Sequence, residues 1–178
     1  DRWLLAAAGD WRPGPDTLLE AEIETSRRSQ PSVPGFSVLG SVVPGPADPW
    51  ININDQAWSL PSVFASTVGT LRWRQNLAAG WQFVALAGSQ QLKTDDRIAF
   101  PFGCSKADDY TRYCADGTYD LYDFRSEGER RTSDAADLSL QGRATTGTVT
   151  HQFNAGLLFT RYATRFGRQT YQWVSNDD

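Results

Sequence analysis

The sequence has no methionine, one histidine (His151) and two cysteines (Cys104 and Cys114) in 178 residues. Lysine is almost missing: of 17 basic residues only Lys93 and Lys106 are lysines, and the rest are arginines. The net charge is −4 and no basic run occurs, which argues against a nucleic-acid partner. Two thiols and one distant imidazole are too few ligands for a zinc site. No nucleophile motif of the Gly-x-Ser-x-Gly type stands beside His151, so the expectation is a protein that is not an enzyme and needs no cofactor. The opening residues lack the basic region, apolar stretch and cleavage site of a signal peptide. The longest apolar run at the start, Trp3 to Gly9, is far short of the roughly 20 residues of a membrane helix. None of these absences bears on a membrane β-barrel, whose strands need only about 9–11 residues each.

What the sequence does have is three hairpin patterns. In "LRWRQNLAAGWQFVALAG", Leu71 and Trp73 alternate with Arg72 and Arg74, and Trp81, Phe83, Ala85 and Ala87 take every second place. Period-two alternation on both sides of a Gly-containing gap is a hairpin signal. In "RWLLAAAGDWRPGPDTLLEAEIETS", Trp3, Leu5, Ala7, Gly9 and Trp11 share a parity, Arg12 to Asp16 is a Pro/Gly turn, and Leu19, Ala21 and Ile23 alternate with Glu20, Glu22 and Glu24. Leu4, Ala6 and Ala8 are apolar too, so Arg2–Asp10 read alone also fits a helix. In the third, Ala136, Leu138 and Leu140 alternate with Asp137, Ser139 and Gln141, and Phe153, Ala155, Leu157 and Phe159 follow the break at 145–148.

The hairpins at about 2–25, 68–92 and 135–166 are separated by aperiodic stretches at about 26–66 and 94–134. Loops of about 40 residues are rare in compact soluble domains but usual on the outer side of outer-membrane barrels, whose opposite turns are short. Trp11, Trp73, Trp81 and Phe153 all lie near a short turn, as an aromatic girdle would. The expected fold is all-β: an antiparallel up-and-down meander of about six strands, part of a larger transmembrane barrel. Trp3, Leu5, Trp11, Leu71, Trp73, Trp81 and Phe83 are expected to face lipid, and Glu20, Glu22, Glu24, Arg72, Arg74, Asp137 and Gln141 a wet lumen. The alternative is a secreted β-sandwich, a lectin-like binding module whose apolar face meets a second sheet. Six strands cannot close a lumen, since such barrels begin at eight. Together with the missing Met, this marks the segment as an expected piece of a longer polypeptide.

The stretches "LLAAAGDWRPGPDTLLEAEIETSRRSQPSVPGF" and "DDRIAFPFGC…YCADGTYDLYDFRSEGERR" resemble the barrel region of TonB-dependent siderophore receptors of Gram-negative bacteria. The likeness covers essentially the whole chain and rests on hairpin rhythm and loop wording. It implies a 22-stranded outer-membrane barrel with an N-terminal plug, a ferric siderophore bound from outside, and energy drawn from TonB. No region here reads as a plug or a TonB box, and no ligand contact of the family carries over residue by residue.

In an exported loop, Cys104 and Cys114 are expected to form a loop-closing disulfide. The same loop holds Asp95, Asp96, Asp108, Asp109, Asp116, Asp120 and Asp123. Without EF-hand spacing these read as a solvated acidic loop rather than a Ca²⁺ site, and their spacing does not support a glycosidase pair. Tyr110, Arg112, Tyr113, Tyr119, Tyr122 and Arg125 are the candidate ligand-facing residues, because Tyr and Arg stack on or fork onto anionic and aromatic ligands. The competing reading is a loop packed on its own aromatics. Arg27 and Arg28 read either as contacts to lipopolysaccharide phosphates or as ordinary rim charges, with the second preferred.

Overall fold

The computed structural model describes residues 1–33, 48 and 50–177. Seven strands form a single antiparallel sheet: β1 (Arg2–Gly14), β2 (Thr17–Gln30), β3 (Ser62–Asn76), β4 (Gln82–Pro101), β5 (Tyr119–Thr146), β6 (Val149–Arg165) and β7 (Gln169–Asp177). Strands β1 to β6 lie side by side in chain order, and β7 pairs with the far end of β5. The sheet is not closed. Arg2–Asp10 is strand, not helix: an unbroken run of Leu and Ala at 4–8 can satisfy either period, and pairing with β2 decides it.

Two differences from the expected layout stand out. The stretch 94–134 is mostly strand, because β4 continues to Pro101 and β5 begins at Tyr119. Tyr119, Tyr122 and Arg125 therefore sit on β5 rather than in a loop. Alternation fails there because both sides are partly apolar: Ala99 and Leu121 pack with Ile53 on one side, while Phe100 and Tyr122 stack on the other. Among the described residues the strands number seven instead of six, because β7 is added. It carries on from β6 in the same register on β5, since Arg130 pairs with Arg165 and Ser126 with Gln169. Pairing is interrupted at 166–168, opposite Gly128, whose φ of 73° marks an irregularity in β5.

Register fixes the faces. Trp11 pairs with Leu19, Leu19 with Trp73, Trp73 with Ala85, Ala85 with Leu138 and Leu138 with Leu157. Directly paired residues share a face, so one apolar face runs through six strands. Glu20, Arg72, Leu86, Asp137 and Leu158 form the equivalent row on the opposite, mixed face. There the Glu20 carboxylate lies 3.0 Å from Arg74 and 3.7 Å from Arg72.

The apolar band does not follow the rows. In β1 it centres on Ala7, whose row passes through Ile23, Gly69, Ser89 and Asp134 to Arg161. In β6 it centres between Ala155 and Leu157 instead. The band thus slides about five residues, roughly 16 Å, while crossing five inter-strand steps of about 4.8 Å. Its inclination to the rows is about 35°.

No second layer covers this sheet among the described residues. Ile53, Ala99, Cys104 and Leu121 are the buried hydrophobics, all far from the band. Leu5 is 68% exposed and Leu157 62%, and every residue of β6 is exposed. Apolar surface left in water costs about 25 cal/mol per Å², so a band this continuous requires another phase or another layer against it.

Candidate functional site

Beyond the band, the described residues build a tip from the ends of β4, β5 and β7, the segment 50–61 and the loop 102–118. Its small core is Ile53, Ala99 and Leu121, with Trp58 and Tyr119 packed around it. Asn54 acts as a substitute strand partner: its amide donates to the Ala99 carbonyl at 3.1 Å and its Oδ1 accepts from the Ala99 N–H at 2.6 Å. Ser59 donates its hydroxyl to the Asn54 carbonyl, which ties the segment back on itself.

Asp120 anchors the loop. Its buried carboxylate accepts from the Ser105 N–H at 2.6 Å, the Ser105 hydroxyl at 2.9 Å and the Trp173 indole at 3.3 Å. Its backbone bonds Gly103 and Phe102. Gly103 has a φ of 78°, and a β-carbon there would meet the Tyr110 backbone at 3.0 Å, so only glycine fits the turn. Cys104 and Cys114 form a disulfide that closes the loop.

Two aspartate turns shape the loop surface. Asp109 accepts from the Thr111 N–H and hydroxyl, and Asp116 accepts from those of Thr118. The hydroxyl bond and then the backbone bond are the main causes that hold each carboxyl below its ordinary range. The loop's other carboxylates do not converge. Asp95 accepts from the Gly128 N–H and lies 3.8 Å from Arg97, while Asp123 is paired with Arg125 at 2.8 Å. Among the described residues no cluster of three His, Cys, Asp or Glu is placed to hold a metal ion.

The candidate ligand-facing residues separate into groups. Tyr122 stacks with Phe100 at 6.0 Å, meets Tyr171 at 5.0 Å and lies edge-on to Phe102 at 6.4 Å. Tyr113 and Tyr119 form a second pair at 5.8 Å. Tyr110 adds a small upward push to the Tyr122 phenol pKa, and Arg112 a small downward one to the Asp109 carboxyl. Arg125 stands apart: it is three residues from Tyr122, hence on the other side of the strand, and is committed to Asp123. Burial is the main cause that raises the phenol pKa of Tyr122, Tyr113 and Tyr171, with the Asp120 carboxylate adding to it at Tyr122. All three rings therefore present neutral phenols near neutral pH, as stacking faces with hydroxyl donors.

Sequence reasoning missed Phe100, Phe102, Tyr171 and Trp173, which complete this aromatic surface. The signal was present as alternation in "AFPF" and "TYQW", but pairing β7 with β5 is what brings them together. No protein-family model, curated protein or solved structure matches this chain.

Proposed function

We propose that the chain is a section of the wall of a TonB-dependent outer-membrane receptor of a Gram-negative bacterium, a transporter of a ferric siderophore. The observation that carries the reading is the oblique apolar band on a one-layer sheet. In a barrel whose strands tilt about 35–45°, a horizontal lipid zone crosses the strand rows at the tilt angle. The inclination of about 35° derived from the register fits that range. Further support comes from the three short connections at one end, with the aromatic residues Trp11, Trp73, Trp81 and Phe153 beside them.

On this reading Glu20, Arg72 and Arg74 line the wet interior. β4, β5 and β7 rise beyond the lipid and carry the aromatic tip toward the outside. Counting along β4 puts Phe100 on the same side as Gln82 and Thr94, the interior side, so Tyr122 and its neighbours face an incoming ligand. TonB and a plug belong to the intact receptor, and no residue here is assigned to either.

Two measurements test this. In vesicles, the tryptophans at the short-turn end should be quenched by lipids brominated on their acyl chains. Quenching only by aqueous iodide would exclude the lipid-facing assignment. Deletion of the gene should abolish growth on a particular ferric siderophore as iron source, with recovery on complementation. Unchanged growth on every ferric siderophore tried would exclude the transport role.

A further inference from the structure

One row on the apolar face is strongly basic. Trp3 pairs with Arg27, Arg27 with Ala65, Ala65 with Lys93, Lys93 with Arg130 and Arg130 with Arg165. Lys93, Arg130 and Arg165 are thus direct cross-strand neighbours, and like charges placed opposite one another are destabilising. All four cations are exposed, and none is in an ion pair among the described residues. Nearby carboxylates on this face are engaged elsewhere. Asp95 and Glu127 lie 3.8 Å and 2.6 Å from Arg97, and Asp134 accepts from the Ser89 hydroxyl at 2.7 Å.

The position of the row matters as much as its charge. Measured from the midline of the oblique band, Arg27, Lys93, Arg130 and Arg165 stand roughly 13 to 24 Å along the barrel axis, all toward the end of the long connections. Hydrocarbon ends at about 15 Å from a bilayer midline and headgroups extend to about 20–22 Å. Arginine and lysine stems can follow an apolar surface while their charged heads reach outward. The basic row therefore spans the depth at which lipid phosphates lie.

We propose that Arg27, Lys93, Arg130 and Arg165 form a docking strip for the phosphate groups of anionic lipids in the leaflet around the long-connection end. The proposal rests on the lipid-facing reading above. An anion supplied by the lipid relieves the repulsion that the protein itself leaves in place. The strip would hold a ring of bound lipid against the wall.

The test is flotation of the full chain with phosphatidylcholine vesicles and with vesicles in which a third of the lipid is phosphatidylglycerol, following Trp emission in both. The chain should partition more strongly onto the anionic vesicles. At about five-fold per surface cation, the variant Lys93→Gln/Arg130→Gln/Arg165→Gln should lose about a hundred-fold of that preference. The set Lys93→Arg/Arg130→Lys/Arg165→Lys should keep it, which separates charge from misfolding. An equal charge change on the opposite face, Arg28→Gln/Arg72→Gln/Arg74→Gln, should also keep it. Equal partition onto both vesicles, or equal loss from the two charge-removing variants, would overturn the strip while leaving a blue-shifted Trp signal and the barrel reading intact. Binding to anionic vesicles without a Trp shift would show adsorption by charge alone and would overturn both the strip and the barrel reading. Binding to neither overturns both. Release by millimolar inorganic phosphate would show an ion site in place of a lipid surface and would also overturn the proposal.

Discussion

The indole of Trp81 lies over Gly142. A β-carbon built on Gly142 would fall within the van der Waals envelope of the Trp81 ring, and the same ring stacks on Phe153 at 5.8 Å. An aromatic ring that covers a strand glycine shields a backbone otherwise bare to solvent. Gly142→Ala should displace Trp81 and lower stability by about 1–3 kcal/mol, read as a lower unfolding midpoint in detergent micelles. The effect should vanish when Trp81→Ala is already present, because nothing remains to be displaced. Additive losses would mean that Trp81 does not depend on Gly142.

The disulfide gives a second test. Non-reduced protein should take up no iodoacetamide, and after reduction it should take up two equivalents, at Cys104 and Cys114. Closing a loop of this length contributes about 2–3 kcal/mol in the chain-entropy account. Reduction should therefore expose 104–118 to protease first, since Cys104 is buried beneath that loop and its release undoes the Gly103 turn. Protease cutting first in the β1–β2 hairpin would contradict this order.

Legibility in the sequence followed the solvent. The three hairpins were readable because one face is apolar from Trp11 to Leu157, and period two shows wherever the two faces differ. The outer halves of β4 and β5 were not readable, since Leu121 packs inward on Ala99 while Tyr122 stacks on the other side. With apolar groups on both faces no alternation survives. Cys104 and Cys114 were a local signal, ten residues apart. The Tyr122–Tyr171 contact is a product of β5–β7 pairing across about 50 residues, which spacing alone does not reveal.

Face assignment can be read chemically. With Cys104 and Cys114 bridged, single cysteines placed by Ile23→Cys, Leu71→Cys or Phe83→Cys should react with a lipid-restricted maleimide in membranes. Those placed by Glu22→Cys, Arg72→Cys or Gln141→Cys should react with a water-soluble one. The register requires each set to behave as a unit, because its members share a face across β2 to β5. Uniform labelling by the aqueous reagent would remove the lumen–lipid distinction.

The aspartate turns predict a pH response of the loop. Asp109 and Asp116 are held below the ordinary value of 3.8, mainly by the hydroxyls of Thr111 and Thr118. A depressed carboxyl stabilises the turn fully above its ordinary value, and that contribution is lost as the pH falls through the lower folded value. Carboxyl NMR titration should show both residues titrating late on acidification. Thr111→Ala should return Asp109 toward the ordinary range without moving Asp116. Both carboxyls titrating at or above 3.8 in the unmodified chain would refute the two turns.

The last prediction concerns the isolated chain. Among the described residues β1 has no neighbour on one side, and the outer edge of β6 is likewise unpaired within the sheet order. Each edge presents a row of free N–H and C=O groups, which is a template for another strand. The apolar band adds a second drive: Trp3, Leu5, Ile23, Leu71, Phe159 and others are exposed, with none of the described residues layered on them. Edge pairing and face-to-face packing relieve different costs, hydrogen-bond loss in the first and apolar hydration in the second. Without detergent the chain should therefore self-associate, and light scattering should rise with concentration. Detergent above its critical micelle concentration should cover the band but not the edges, leaving smaller species still able to pair. Ultracentrifugation that finds a dispersed monomer at high concentration without detergent would mean that the band and both edges are already satisfied. The lipid-wall reading would then have no basis in this sheet.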